Sequence, residues 1–149
     1  MKGKARVPKS KPPLWKCPKC GKTFVTRNLW HSCRRGDLDA LFESCGPSVR
    51  DLYEGVLAAV RRCGPITVNP LKSAISLQVR VRAIGCVPLR RSLKIGLAFR
   101  ERMEHPRFVK IESHTRSFHA HWLRIERPSD IDAELKKWIR RAYARAAQE

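Results

Sequence analysis

Two neighbouring stretches of this 149-residue chain carry the two-residue period of a half-buried β-strand. In "AISLQVRVRAIG", Ile75, Leu77, Val79, Val81 and Ala83 alternate with Ser76, Gln78, Arg80 and Arg82. In "SLKIGLAF", Leu93, Ile95, Leu97 and Phe99 repeat the alternation. Successive side chains of a strand point to opposite faces, so each stretch has one apolar and one polar side. We expect one strand from each, paired antiparallel through a turn containing Gly85 and Pro88, in a sheet with one face toward water. Further short strands are expected at 66–69, 108–111 and 118–126.

The period lengthens on either side. Val49, Leu52, Tyr53, Val56, Leu57 and Val60 recur at the spacing of one helix face. This predicts a helix over about Ser48 to Cys63, capped by Ser48 with Asp51 and stopped by Gly64-Pro65. A shorter helix is expected in "GDLDALFESCGP", with Asp37 near its start and Gly46 and Pro47 at its end. In the closing "SDIDAELKKWIRRAYARAAQ", Ile131, Leu135, Trp138, Ile139 and Ala142 share a face, and acids lead while arginines trail along the dipole. Ser129 is the expected cap there, with Asp132 behind it. Helix, strands, helix gives an α+β fold: an antiparallel sheet with two main helices packed on one face, plus a small N-terminal zinc knuckle. The expected organisation is a disordered basic arm at 1–14, the knuckle at 15–36 and the α+β domain at 37–149.

The knuckle rests on "CPKCGKTFVTRNLWHSC", residues 17–33. Cys-x-x-Cys followed by Gly is a turn in which two thiolates grip one zinc, and His31 and Cys33 complete a four-ligand set with Cys17 and Cys20. Four protein ligands leave no open position for catalytic water, so one structural zinc ion is expected. A redox Cys-x-x-Cys would sit between a strand and a helix of a larger α/β domain, whereas a Pro-rich arm precedes this one. The segment resembles a Cys2His2 finger up to His31, with Phe24 and Leu29 in place. The closing "HSC" then puts ligands at i and i+2, which do not share a helix face, so too little helix remains to read bases in a groove. Trp15 and Trp30 flank the knuckle and are expected to pack it onto the main domain. Cys45, Cys63 and Cys86 read as small buried hydrophobes.

Charge is the strongest bulk signal: 32 Lys and Arg against 13 Asp and Glu, a formal net charge of +19. Eleven of the basic side chains, and none of the acids, lie in residues 1–36. Such a field draws polyanions, so DNA or RNA is the first partner to consider. The cations named for that contact are Lys16, Lys19, Lys22, Arg27, Arg34, Arg35, Arg80 and Arg82. Arg90, Arg91, Lys94 and Arg100 extend the polar face of the expected hairpin, although no aromatic residue is interleaved among them in sequence. "HAH" would place His119 and His121 on one strand face, where a third ligand, His114 or His105, would make a second metal site. No nucleophile pair, Gly-rich phosphate loop or carboxylate dyad is visible, so a non-enzymatic role is expected. The start of the chain lacks the apolar run of a secretory signal and no stretch approaches a membrane span. A cytoplasmic protein with thiols or metal ligands in place of disulfides is therefore expected.

The combined pattern, "PLWKCPKCGKTFVTRNLWHSC", "DLDALF", the strands and the closing "RPSDIDAELKKWIRRAY", resembles the bacterial domain-of-unknown-function family DUF5655. The closing helix also looks like that of the small YdhG-like α+β proteins, some of which are described as frataxin-like iron chaperones. The resemblance implies a fold and brings no activity with it. Iron chaperoning calls for acidic ligands to a hard cation, and this chain is basic. The expected function is a zinc-binding module that contacts nucleic acid through phosphates with little sequence specificity. The alternative is a small ligand or protein partner in a cleft between helices and sheet, with the zinc purely structural.

Overall fold

A computed structural model of the chain describes residues 13–19, 21–25 and 37–148. The expected basic arm lies almost wholly outside the described residues, as do Cys20, His31 and Cys33. A two-stranded hairpin, β1 (Trp15–Lys16) and β2 (Thr23–Phe24), precedes the helices α1 (Leu38–Phe42) and α2 (Pro47–Arg61). Six strands follow: β3 (Thr67–Pro70), β4 (Ile75–Gln78), β5 (Arg82–Pro88), β6 (Leu93–Phe99), β7 (Lys110–Thr115) and β8 (Phe118–Ile125). The last helix is α3 (Ala133–Gln148). The six strands form one antiparallel sheet in the order β3-β4-β5-β6-β8-β7, so the fold is α+β as expected.

The stretch 74–85 is not one strand. It is the β4–β5 hairpin, closed by the Val79 N–H donating to the Val81 carbonyl at 3.0 Å, with a register shift at Leu77/Gln78. A reversal this tight keeps apolar and polar residues alternating through it, so the sequence period runs on unbroken while the chain turns. Gly85 consequently sits inside β5, opposite Gly96. The β5–β6 turn lies later, where the Leu89 N–H donates to the Ser92 carbonyl.

α2 and α3 pack against each other and against β5 and β6. Val49, Leu52, Val56 and Val60 of α2, and Leu135, Ile139 and Ala142 of α3, share one buried cluster with Ile75, Leu77, Ile84, Leu93, Ile95, Leu97, Leu123 and Ile125. The space between helices and sheet, where a ligand cleft was considered, is filled by these side chains. Tyr53 is fully buried there; its hydroxyl has no hydrogen-bond partner among the described residues, and burial pushes its pKa up to about 12. Cys86 is fully buried and likewise pushed up to about 12, while the Cys45 and Cys63 thiols are half-buried and donate to helix carbonyls.

The helix starts differ from expectation. α2 begins at Pro47 with Gly46 as N-cap and no side-chain cap bond, because proline at the first helical position is preset for it and Ser48 is already inside. Ser129 belongs to a 3-10 turn, Pro128–Asp130, and Asp132 caps α3 by accepting from the Leu135 N–H at 2.9 Å. Arg145, 6% exposed, ties α3 to the sheet: its Nε donates to the Ala98 carbonyl at 2.9 Å and its Nη2 to the Arg82 carbonyl at 2.8 Å.

Candidate nucleic-acid interface

The sheet face turned away from α2 and α3 gathers an aromatic ring and several cations. One row of directly opposed residues crosses all six strands: Asn69, Ser76, Gly85, Gly96, Trp122 and Lys110. The two glycines leave a bare strip of backbone, and the Trp122 indole lies down on it. A Cβ at position 96 would stand 2.7–2.9 Å from Cζ3, Cη2 and Cε3 of the ring, so only glycine admits the indole in this pose. The indole N–H donates to Glu112 Oε1 at 2.8 Å, which fixes its edge. On the ring sits the ammonium of Lys94, 5.2 Å from the centroid.

Lys94 pairs directly with Arg124 across β6 and β8, one step along from the indole. Arg90 and Arg91 are exposed on the turn beyond. Lys110 pairs with Glu112 at 3.3 Å; the indole N–H first, and Lys110 next, hold that carboxyl below the usual range. Lys94, Arg124, Arg90 and Arg91 make no ion pair among the described residues. The outcome is an indole against glycine backbone with cations around it and the Glu112 carboxylate, already engaged, beside it.

Of the cations named from sequence, Arg82 lies on this face and donates through Nε to Ser76 Oγ at 3.0 Å, while Arg80 is half-buried in the β4–β5 turn. Lys16 and Lys19 are exposed on the N-terminal hairpin and Lys22 is half-buried there. That hairpin reaches the sheet through Gln78, whose Nε2 donates to the Thr23 carbonyl at 2.6 Å. Arg100 turns instead toward α3, donating to Gln148. Arg27, Arg34 and Arg35 lie outside the described residues. Trp122 escaped the sequence reading because no aromatic stands among the arginines of β4–β6. Its signal was two-part: it alternates with Leu123 in "HWLRI", which turns it away from the core, and glycine inside each of β5 and β6 marks a close approach.

Of the expected zinc ligands, Cys17 is described and is 5% exposed. The Gly21 N–H donates to the Cys17 carbonyl at 2.9 Å and the Cys17 N–H to the Lys22 carbonyl at 2.8 Å, with Gly21 at φ +77°. Trp15 and Phe24 face each other across the hairpin with ring centroids 6.2 Å apart.

His119 and His121 share a face but have no free nitrogen for a metal. His121 Nε2 accepts from the Met103 N–H at 2.9 Å, so its proton is on Nδ1, which donates to the His119 carbonyl at 2.9 Å. His119 Nε2 lies 2.9 Å from the Arg116 carbonyl and Nδ1 lies 2.8 Å from Ser113 Oγ. His121 is enclosed by Phe99 and Phe108, and burial lowers its pKa. His105 packs edge-on to Trp138 and pairs with Glu134, and His114 packs against Phe118, so neither completes a sphere. Among the described residues no group of three or more His, Cys, Asp or Glu is placed to hold a metal.

Fold and face together define a two-layer α+β domain with helices on one side of the sheet and a cationic, glycine-floored face on the other. Residues 39–146 match the family described as Domain of unknown function (DUF5655), and the chain belongs to that family. No curated protein and no solved structure gives a significant match. The family match leaves the cysteine-bearing segment outside its span. Among the described residues no helix is long and apolar enough to cross a membrane.

Proposed function

We propose that this protein is a non-enzymatic, zinc-binding module that contacts nucleic acid through its phosphates with little sequence specificity. The observation that carries the reading is the pairing of Lys94 with Arg124 on the open sheet face, with Arg90 and Arg91 exposed on the β5–β6 turn at the same end of the strands, none of the four in an ion pair among the described residues, in a chain of net charge +19. Cations neutralising phosphates release counterions, which gives affinity without base recognition and a steep fall with salt. Among the described residues the open sheet face presents no helix to a groove, in keeping with weak sequence preference.

The turn at Cys17 suits the zinc half of the reading. A buried cysteine whose carbonyl accepts from a left-handed glycine four residues on is the backbone bend that lets two thiolates separated by two residues face one ion. Cys20, His31 and Cys33 are the proposed remaining ligands. Zinc supplies rigidity to a basic segment too small to bury a core of its own.

A second reading, in which the α+β domain takes a small ligand, has one observation in its favour. An open groove is lined by Phe99, Arg100, Glu101, Arg141, Arg145 and Gln148. Arg141 already pairs with Glu101 and Arg145 with backbone carbonyls, so the nucleic-acid reading is the stronger. Titrating a labelled duplex and a labelled single strand at about 50 mM and about 200 mM salt tests it, since several phosphate contacts would weaken binding by orders of magnitude between the two. No binding of either at the lower salt ends the proposal.

A further inference from the structure

We propose that the open sheet face binds single-stranded polynucleotide in particular, with an unpaired base stacked on Trp122 and the phosphates on either side held by Lys94, Arg124 and Lys110. The inference rests on the nucleic-acid reading above and names the form of nucleic acid. Three observations carry it. The six-membered ring of the indole closes on the glycine strip, with Cζ3, Cη2 and Cε3 within 3 Å of where a Cβ of Gly96 would stand and Cη2 3.7 Å from that of Gly85, and the half-buried ring has a face that already takes a cation, Lys94. Glu112 accepts from the indole N–H, so the plate is oriented before any ligand arrives and loses little freedom on binding. The cations stand next to it: Lys94 and Arg124 are two residues along their strands, about 7 Å away on the same face, and Lys110 is directly across on β7.

Every base has a π-face, so a plate ringed by cations accepts single strands with little regard to sequence. In a duplex the bases stack on one another and present only edges in the grooves, which a flat plate does not reach. The Lys94 ammonium, at the end of a flexible stem, lies over the ring. An exposed cation–π contact is weaker than base–aromatic stacking, so an arriving base displaces the ammonium, which is then free to meet a phosphate. The Glu112 carboxylate beside the ring is engaged by the indole N–H.

The test measures affinities of a DNA and an RNA single strand of about 12 nucleotides, and of a duplex, for the full chain at low salt. The variants are Trp122→Leu, which keeps an apolar cover on the glycine strip, and Trp122→Phe, which keeps a ring. We expect the wild type to favour the single strands, the ratio of single-strand to duplex affinity to fall about tenfold in Trp122→Leu, and most of it to return in Trp122→Phe. An unchanged ratio in the Leu variant, or an equal loss on single strand and duplex, overturns the inference while leaving the phosphate reading in place. Failure to bind either form overturns both. Should the Leu variant not fold, tryptophan emission decides: a stacked base quenches the wild type more than Trp122→Phe, and equal quenching in the two contradicts the proposal.

Discussion

The Trp122 ring rests directly on the α-carbon of Gly96, its partner across β6 and β8, in a position that no side chain at 96 would allow. Alanine there would meet the ring at under 3 Å and force it, or the strand, to move. Overpacking of this kind costs about 1–3 kcal/mol, so Gly96→Ala is expected to lower the urea midpoint with little change in slope. The effect should shrink sharply when Trp122 is replaced by Ala as well, since the two residues are in contact. Additive losses in the double variant would mean that residue 96 is glycine for another reason.

Arg145 holds α3 against two strands by donating to the carbonyls of Ala98 and Arg82 from a nearly buried position. Arg145→Met keeps much of the stem but leaves both carbonyls without that donor, at a cost of about 2–4 kcal/mol. Lysine offers a point charge without the planar fork, so Arg145→Lys should recover little. Thermal melts by circular dichroism check this, and a melting temperature for Lys equal to wild type would contradict it.

His121 links stability to pH. Burial lowers its pKa in the folded state, so between the folded and unfolded values the unfolded chain binds more protons. Its contribution is therefore complete above the unfolded value of about 6.5 and is lost as pH falls from there through the lower folded value. Replacing His121 with Gln removes this titration. The difference between wild-type and variant unfolding free energy, followed from neutral to mildly acidic pH, should shift in the variant's favour as pH falls; a constant difference would show that His121 does not titrate across unfolding.

Metal analysis addresses the knuckle. We expect one zinc per chain, lost in Cys17→Ser. Because the described hairpin hydrogen-bonds to the sheet through Gln78 and Thr23, and the main core is built from α2, α3 and the six strands, the principal unfolding transition should persist in that variant. Full zinc content in Cys17→Ser would remove Cys17 from the ligand set.

Most of the architecture was legible in the chain. The 3.6-residue pattern of Val49 to Val60 and of Ile131 to Ala142 gave both main helices, and the alternation of Leu93 to Phe99 gave β6. The β4–β5 hairpin was not legible, because Val79, Arg80 and Val81 turn the chain without any glycine or proline to mark it and without breaking the alternation. The caps shifted for local reasons: Pro47 starts α2 ahead of Ser48, and Asp132 captures the Leu135 N–H that Ser129 is too far upstream to reach. The open-face site is assembled from β5, β6, β7 and β8, and the residues that define it, Gly85, Gly96, Lys94, Lys110 and Trp122, meet only through strand register. No local pattern announces such a row; the two in-strand glycines were its one trace.

The salt dependence of single-strand affinity tests the central claim most directly, measured for the wild type and for a variant carrying both Lys94→Ala and Arg124→Ala. If those two side chains each neutralise a phosphate, the slope of log affinity against log salt is steep and negative for the wild type and shallower by about 1.4 for the variant. Equal slopes, or no measurable binding at the lowest salt, would contradict the account.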